Sequence, residues 1–313
     1  MIDLLRTDIQ AEHPLSHLSE FSEFVLGDLV VEKTPRLFVI VEDAFAALPM
    51  GVLVPPTEPG DVPLGALSAV SVAPVVVSIK THRTGVSNLD RKPFLGVGDS
   101  IYGASSAKER LDFVPVPLRE TSAELRFMGA LLNADPTEDF LLGLGAKEEV
   151  IQNLSETGVL ASYDLLAFAT HGFRGSEGKL TEPGLLLSES NPSSGSDGYL
   201  SASEIENLKL DARLVILSTC DTGAIAASDR GLSRLTQAFT YACARSQIVT
   251  HWPIDSAAAV EISRRLALTL RDEPDVTSAE ALRRAVQDLL SNPDTARFAA
   301  PKYWASHAVV GGG

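Results

Sequence analysis

Short apolar runs that alternate with amphipathic helical patterns constrain the fold of this chain more than any other feature of its sequence. Between the runs, Thr121 and Glu124 fit a capping box at a helix start, and Thr277 and Glu280 repeat that pattern. This alternation is typical of an α/β fold, a mostly parallel sheet with helices on both faces. The predicted strands occupy residues 36–41, 73–79, 92–98, 163–169, 212–218, 246–252 and 304–310.

Composition narrows the class of protein. Hydrophobic residues make up 45% of the 313 positions and charged residues 21%, as in globular proteins, and no apolar run reaches the ~20 residues that span a bilayer. The acidic N-terminus does not resemble a secretory signal. Because the only cysteines are Cys220 and Cys243, we expect no disulfide framework and a reducing, cytoplasmic location. The net charge of -15 argues against a direct nucleic-acid partner, and no membrane partner is expected.

Three stretches are predicted to lie outside regular structure. The proline-rich stretch at 52–65 is a predicted loop, and the polar, Ser/Gly-rich stretch at 188–198 is a predicted mobile surface loop. Two prolines within 113–120 mark the expected boundary between two parts of the chain.

Two of the predicted strands end in reactive side chains. Residues 163–169 lead into Thr170, His171 and Gly172, and residues 212–218 lead into Cys220. The carboxyl ends of parallel strands share one edge of a sheet, so His171 and Cys220 would lie side by side if their strands are neighbours. An imidazole can take the proton of a thiol and produce a thiolate nucleophile. The backbone N–H of Gly172 could then approach a substrate carbonyl and stabilise a developing oxyanion.

The other candidate residues favour structural roles. A lone cysteine at a strand end is usually a small buried hydrophobe, and only its pairing with the Thr-His-Gly motif reverses that expectation for Cys220. Cys243 is predicted to lie on a helix among alanines, and His251 to be a core or rim histidine. The glycines of 96–103 lack the spacing of a dinucleotide loop, and two cysteines 23 positions apart indicate no metal site, so no cofactor is expected. No motif surrounds the remaining histidines, His13, His17, His82 and His307.

Five segments, taken in order, resemble the CHAT domain family, whose caspase-like fold is related to the cysteine peptidases separase and gingipain. They are "FATHG", "LVILSTCDTG", "GLSRLTQAF", "HWPID" and "YWASHAVVG". The histidine and cysteine positions differ by 220 minus 171, or 49, close to the separation of about 50 in caspases. The resemblance implies that His171 is the general base and Cys220 the nucleophile, with the backbone N–H groups of Gly172 and Cys220 as the oxyanion hole.

The resemblance also implies an organisation and a function. A smaller, pseudo-caspase-like α/β subdomain over residues 1–118 would precede a catalytic caspase-like subdomain over 119–313. The expected function is that of a cysteine endopeptidase that cleaves a specific protein partner under the control of a separate regulatory protein or signal. Low basal activity is expected because long loops, 174–198 and 222–231, border the site and the first contains few apolar residues to hold one conformation. The alternatives are a catalytically silent scaffold or adaptor in bacterial signalling and a small-molecule amidohydrolase.

The segment "HWPID" suggests a substrate preference. The strand after the cysteine's helix commonly lines the pocket for the residue before the scissile bond, and here its continuation ends at Asp255. A carboxylate at that place would select a basic residue, as the resemblance to separases also implies, with Trp252 as a pocket wall. Asp255 fits equally well as the N-cap of a helix beginning near Ser256.

Overall fold

An eight-stranded sheet forms the centre of the molecule, and a small three-stranded sheet lies beside it. The structure, a computed structural model, describes residues 9, 16–27, 34–40, 48–56, 62–73, 91–103, 111–175, 178–190, 195–218, 231–252 and 254–312. The strands are β1 (Arg36–Ile40), β2 (Ala69–Ala73), β3 (Lys92–Gly98), β4 (Phe140–Leu142), β5 (Tyr163–Ala169), β6 (His171–Phe173), β7 (Gly184–Leu186), β8 (Tyr199–Ser201), β9 (Leu214–Leu217), β10 (Ser246–Thr250) and β11 (His307–Gly311).

The order in the large sheet is β1-β2-β11-β10-β9-β5-β3-β4, and β6, β7 and β8 form the small antiparallel sheet. The five strands from β10 to β4 are parallel, whereas β11 is antiparallel to β10 and continues in parallel with β2 and β1. The sheet is therefore mostly parallel, which confirms the α/β prediction. The helices are α1 (Ser16–Leu26), α2 (Leu64–Leu67), α3 (Glu120–Leu131), α4 (Glu148–Glu156), α5 (Ala202–Glu206), α6 (Gly231–Tyr241), α7 (Ser256–Asp272) and α8 (Ser278–Ser291).

Two hydrophobic cores lie on opposite faces of the large sheet. In β9, Leu214 and Ile216 belong to one core, and Val215 and Leu217 belong to the other. Successive side chains of a strand point to opposite faces, so an unbroken apolar strand needs cover on both sides. Helices α3, α7 and α8 cover the first core, and α4, α5 and α6 cover the second.

Most of the predicted strands are present, with shifted ends. The predictions at 36–41, 92–98, 163–169, 212–218 and 246–252 correspond to β1, β3, β5, β9 and β10. Strand β11 begins at His307, later than predicted, because the chain turns through residues 304–306. All but the first residue of 73–79 lies outside the described residues. The three-residue strands β4, β6, β7 and β8 are too short to give a periodic signal and were not predicted.

One of the two predicted capping boxes is wrong. Helix α8 has Thr277 as its N-cap, and the Thr277 hydroxyl accepts from the backbone N–H of Glu280. Thr121 instead lies inside α3, where its hydroxyl donates to the Leu118 carbonyl over 2.6 Å and accepts from the backbone N–H of Asp99 over 3.0 Å. The Thr121 hydroxyl therefore binds Asp99, 22 positions earlier, instead of capping the helix, and this contact ties the start of α3 to the end of β3.

Strands on both sides of the predicted subdomain boundary at 118/119 belong to the same sheet. Strand β3 precedes the boundary, yet it pairs with β5 and β4, which follow it. The division into 1–118 and 119–313 stays a prediction.

The described ends of the polar stretch at 188–198 are bound to the rest of the protein. Ser188 is buried, and its hydroxyl donates to the Gly143 carbonyl. The backbone N–H groups of Asp197 and Gly198 donate to the Glu148 carboxylate over 2.9 and 2.8 Å. These contacts place both ends of the stretch beside α4.

Candidate active site at the carboxyl edge of the sheet

The two strands that lead to the predicted dyad are neighbours. Strands β5 and β9 are parallel and hydrogen-bonded, with Phe168 opposite Leu217 at their carboxyl ends. The condition for bringing His171 and Cys220 together is therefore met by the sheet. Cys220 itself lies outside the described residues, two positions beyond Ser218, the last described residue after β9.

The backbone at His171 is anchored by the buried residue that precedes it. Thr170 is fully buried, and its hydroxyl donates to the Leu186 carbonyl on β7. The Tyr102 hydroxyl lies 3.3 Å from Thr170 Oγ1, and burial raises the pKa of the Tyr102 phenol. Because His171 also pairs with Leu186 in the small sheet, its position is fixed from two sides.

The His171 ring has a main-chain partner. Its Nε2 lies 2.7 Å from the Val116 carbonyl oxygen. A carbonyl oxygen only accepts hydrogen bonds, so Nε2 carries the proton and Nδ1 is the acceptor nitrogen of the neutral ring. The rings of Tyr102 and Phe173 lie 5.6 and 6.3 Å from the imidazole centroid and flank it. This geometry selects the tautomer in which Nδ1 can receive a proton.

Sequence reasoning missed Val116, because a carbonyl group contributes no side-chain pattern. The available signal was Pro117. A residue before proline is biased toward extended backbone, and the ring nitrogen of proline cannot donate a hydrogen bond. The pair thus favours a non-helical segment just before α3, in the stretch that was predicted only as a boundary.

Gly172 lies in β6, buried, opposite Leu185 of β7. It follows the imidazole directly, as the oxyanion-hole hypothesis requires. The second predicted donor of that hole, the backbone N–H of Cys220, lies outside the described residues. The oxyanion hole stays a prediction.

A cavity of about 90 Å³ opens at the same edge of the sheet, on the first-core face. It lies between the N-terminal halves of α3 and α7. Ser218 and Thr250 line it from the ends of β9 and β10, and Trp252 and Leu118 line its sides. Ser218 therefore links the cavity to the segment that leads to Cys220.

Acidic side chains dominate the charge of this cavity. Glu124, in the second turn of α3, accepts a hydrogen bond of 2.8 Å from the Ser263 hydroxyl on α7, and burial raises the pKa of its carboxyl group. Glu120 lines the cavity one turn earlier. His307 also lines it, and burial lowers the pKa of that imidazole to about 4, so the ring is neutral at pH 7. Among the described residues that line the cavity, none is Lys or Arg.

The two residues predicted to bind substrate occupy different environments. Trp252 is buried on the cavity wall, with its indole N–H donating to the Lys302 carbonyl over 3.1 Å. Asp255 is exposed, and its Oδ1 accepts from the backbone N–H groups of Ala257 and Ala258 over 3.0 and 3.1 Å. These bonds are those of the N-cap alternative, and a role of either residue in substrate recognition stays a prediction.

The remaining cysteine and histidine candidates contrast with the dyad. Cys243 is exposed and has a φ of 74°, so it lies just past the end of α6 in a left-handed conformation. The prediction that it lies on a helix is wrong, because its left-handed backbone ends the helix. His251 is buried, and its backbone N–H donates to the Ser306 carbonyl, as expected of a core histidine.

Two absences hold for the part of the chain that the structure describes. There, no three His, Cys, Asp or Glu side chains cluster as metal ligands would. No helix in those ranges combines the length and the apolar character needed to cross a membrane.

Comparisons with known proteins agree with the architecture. The fold is similar to separase in the Saccharomyces cerevisiae separase–securin complex, with 11% identity and a TM-score of 0.52 over 88% of this chain and 15% of that one. It is also similar to the complex of Porphyromonas gingivalis RgpB pro- and mature domains, with 9% identity and a TM-score of 0.50 over 97% and 70%. A further protease gives 9% identity and a TM-score of 0.53 over 95% and 68%. Identities this low show a shared fold alone.

The sequence comparisons are more specific. A search among curated proteins found no match. The model of the CHAT domain family matches residues 13–312, nearly the whole chain, and its match includes both strands that lead to the predicted dyad. Together with the caspase-like architecture, this match shows that the chain belongs to the CHAT domain family.

Proposed function

We propose that this protein is a cysteine endopeptidase in which Cys220 is the nucleophile and His171 the general base. The observation that supports it most directly is the hydrogen bond from His171 Nε2 to the Val116 carbonyl, at the end of a strand that neighbours the cysteine's strand. An activated nucleophile needs a base whose orientation is set by a third group. Val116 supplies such a group through its main chain.

In the proposed reaction, His171 transfers protons both when the thioester forms and when it is hydrolysed. His171 Nδ1 takes the proton of the Cys220 thiol, and the thiolate attacks the carbonyl carbon of the scissile bond. The backbone N–H groups of Gly172 and Cys220 stabilise the oxyanion, and the imidazolium then protonates the leaving amine. Water then gives a proton to the neutral imidazole and attacks the thioester carbonyl; the C–S bond breaks, the carboxylic acid product leaves, and the imidazolium returns the proton to the Cys220 thiolate. The Val116 carbonyl stabilises the imidazolium because its partner N–H becomes more acidic when the ring is charged.

We further propose that cleavage follows a basic residue of a specific protein partner. The acidic cavity beside the proposed dyad supports this specificity, since its lining includes Glu120 and Glu124 without a Lys or Arg among the described residues. Trp252 and Asp255 are the residues that the sequence pattern nominated for this task. A reducing cytoplasm would preserve the free thiol that the reaction requires.

Control by a separate protein or signal completes the proposal. The segment that orients His171 is accessible to a partner, because the large apolar side chains of Phe113, Val114 and Val116 are all exposed. A partner that binds this segment would move the Val116 carbonyl and thereby the orientation of the His171 ring. The similar separase structure contains the protein securin, which is compatible with a protein regulator here.

Thiol labelling tests the dyad without knowledge of the substrate. We expect iodoacetamide to modify Cys220 at least about tenfold faster than Cys243 at neutral pH, because a thiolate paired with an imidazole reacts faster than an ordinary thiol. Cys243 is an internal control, since it is exposed. His171→Ala should remove the difference. Equal, slow labelling of both thiols in the wild type would contradict the proposal and favour a silent scaffold.

A further inference from the structure

The cavity between α3 and α7 has a chemistry that the proposed reaction does not explain by itself. We propose that it binds the cationic side chain of the residue before the scissile bond, with the Glu124 carboxylate as the counter-charge. This inference rests on the proposed function and identifies the residue that sets its specificity.

The first argument is charge. Glu120 and Glu124 are the charged side chains on the cavity wall within the described residues, and the neutral His307 ring adds no positive charge. A buried carboxylate without a cation is costly, and a Lys or Arg side chain that entered would offset that cost. Burial, and to a smaller extent the negative charge of Glu120, raise the pKa of Glu124, and a cation in the cavity would oppose both effects.

The second argument is position. Glu124 lies one helical turn beyond Glu120, and its partner Ser263 lies on α7, well past the first turn of that helix. The carboxyl group thus lies where the wall formed by α3 meets the wall formed by α7, so a cation that enters between the two helices would contact it. The Trp252 indole on the wall offers an apolar surface for the methylene stem and a π-face for the cation.

The third argument is continuity with the proposed dyad. Ser218 lines the cavity and precedes Cys220 by two positions, and Leu118 lines it and follows Val116 by two positions. Val116 is the residue that holds His171. A side chain in the cavity would therefore belong to a residue next to the attacked carbonyl.

Glu124 suits this task better than Asp255. The Asp255 carboxylate is exposed and already compensated by the N-terminus of α7, whose backbone N–H groups it accepts from. Asp255 is the N-cap of α7 and is not among the residues that line the cavity, whereas Glu120 and Glu124 of α3 line it. Glu124, in contrast, lines the cavity and accepts a hydrogen bond from a neutral donor, the Ser263 hydroxyl.

Binding of agmatine, a guanidinium on a short alkyl chain, tests the inference in the full chain. We expect saturable binding by calorimetry at pH 8, and a loss of affinity of about tenfold or more in Glu124→Gln, because a charge-assisted contact is replaced by a neutral one. Gln is isosteric and can still accept from Ser263, so the fold should be kept. Glu156→Gln, an equal charge change at an exposed site on α4, is the matched control.

The outcomes separate the cavity from the peptidase. Equal agmatine affinity in wild type and Glu124→Gln, or no saturable binding, would overturn the inference. Pentanamide, an uncharged ligand of similar length, should bind at least about tenfold more weakly, and equal binding would also overturn it. Binding does not require Cys220, so Glu124-dependent agmatine binding in a protein whose Cys220 labels slowly would support the cavity while refuting the peptidase.

Discussion

The two faces of the sheet differ sharply at the edge where β5, β9 and β10 end. On the second-core face, the small sheet closes against the strands, and Thr170, Leu186 and Tyr199 are buried around the base of His171. On the first-core face, α3 and α7 leave a cavity. A reacting group must be held in one orientation, whereas a specificity site must leave room for a ligand. The structure provides these two conditions on opposite faces.

A short segment, residues 116–121, makes contacts on both faces. Within it, the Val116 carbonyl contacts His171 and the Thr121 hydroxyl ties α3 to the end of β3. At that end, a Cβ on Gly98 would lie 2.6 Å from the Ala169 carbonyl oxygen and 2.7 Å from a Leu125 methyl group. Only glycine allows β3, β5 and α3 to approach this closely.

The largest expected effect is on the rate of peptide hydrolysis, and it tests the close-packed face, where His171 is held. His171→Ala and Cys220→Ala should each lower kcat/KM for peptide hydrolysis by about 10³-fold or more, and the double variant should lose no more than either single variant. The reason is that base and nucleophile act in one proton transfer. Steady-state kinetics on a substrate cleaved by the wild type would measure this.

Cys243→Ala is the matched control for these variants. It removes an exposed thiol past the end of α6 and should leave kcat/KM within about twofold of the wild type. Circular dichroism should show unchanged secondary structure in all of these variants. If His171→Ala retained most of the wild-type rate, the assignment of the base would be wrong.

An intermediate effect, on the free energy of unfolding, is expected from the Glu148 carboxyl group, at the start of α4 on the second-core face. Burial, with a smaller contribution from Glu204, raises the pKa of Glu148 to about 7. The folded protein then binds this proton more tightly than the unfolded chain, whose glutamate titrates near ~4.3. Its stabilising contribution is present below pH ~4.3 and is lost as the pH rises through about 7.

Glu148→Gln should therefore gain stability relative to the wild type as the pH rises from about 5 to about 8, by about 2 kcal/mol. Urea denaturation at both pH values measures the change, with Glu156→Gln at the exposed end of the same helix as the control. A difference that does not depend on pH would contradict the raised pKa. Agmatine should not alter this result, since Glu148 does not line the cavity.

The sequence was sufficient to predict the main strands and the residues at their ends, because hydrophobic periodicity is a local pattern. It did not predict the roles of Glu124 and Val116, because these depend on contacts between residues far apart in the chain. The apolar runs located β5 and β9 and thereby placed His171 at the edge of the sheet. Glu124 was predicted as a capping residue, because its partner Ser263 lies 139 positions away and gives no local signal. Val116 acts through its carbonyl, which every residue has, so no residue type could indicate its contact with the imidazole.

The smallest expected effect separates Asp255 from Glu124, the two acidic candidates for substrate recognition. Asp255→Ala removes the N-cap of α7 and should lower the free energy of unfolding by about 1 kcal/mol, whereas Asp255→Asn keeps a capping oxygen and should change it by a few tenths. Thr277→Ala, at the N-cap of α8, should cost a similar amount and serves as the control for cap loss alone. Urea denaturation of the three variants measures these differences.

The same Asp255→Asn variant then discriminates between recognition and capping. It removes the negative charge but keeps the cap, so its agmatine affinity should stay within about twofold of the wild type if Glu124 is the counter-charge. A loss as large as that in Glu124→Gln would instead make Asp255 the recognition residue, as the sequence pattern suggested. The distinction matters for the comparison of the two faces, because Asp255 lies at the exposed start of α7, whereas Glu124 lines the cavity between α3 and α7. If Glu124 sets the specificity, the substrate side chain must enter the cavity between α3 and α7. Ala259→Leu would fill part of that cavity, so it should weaken agmatine binding although no charge is changed.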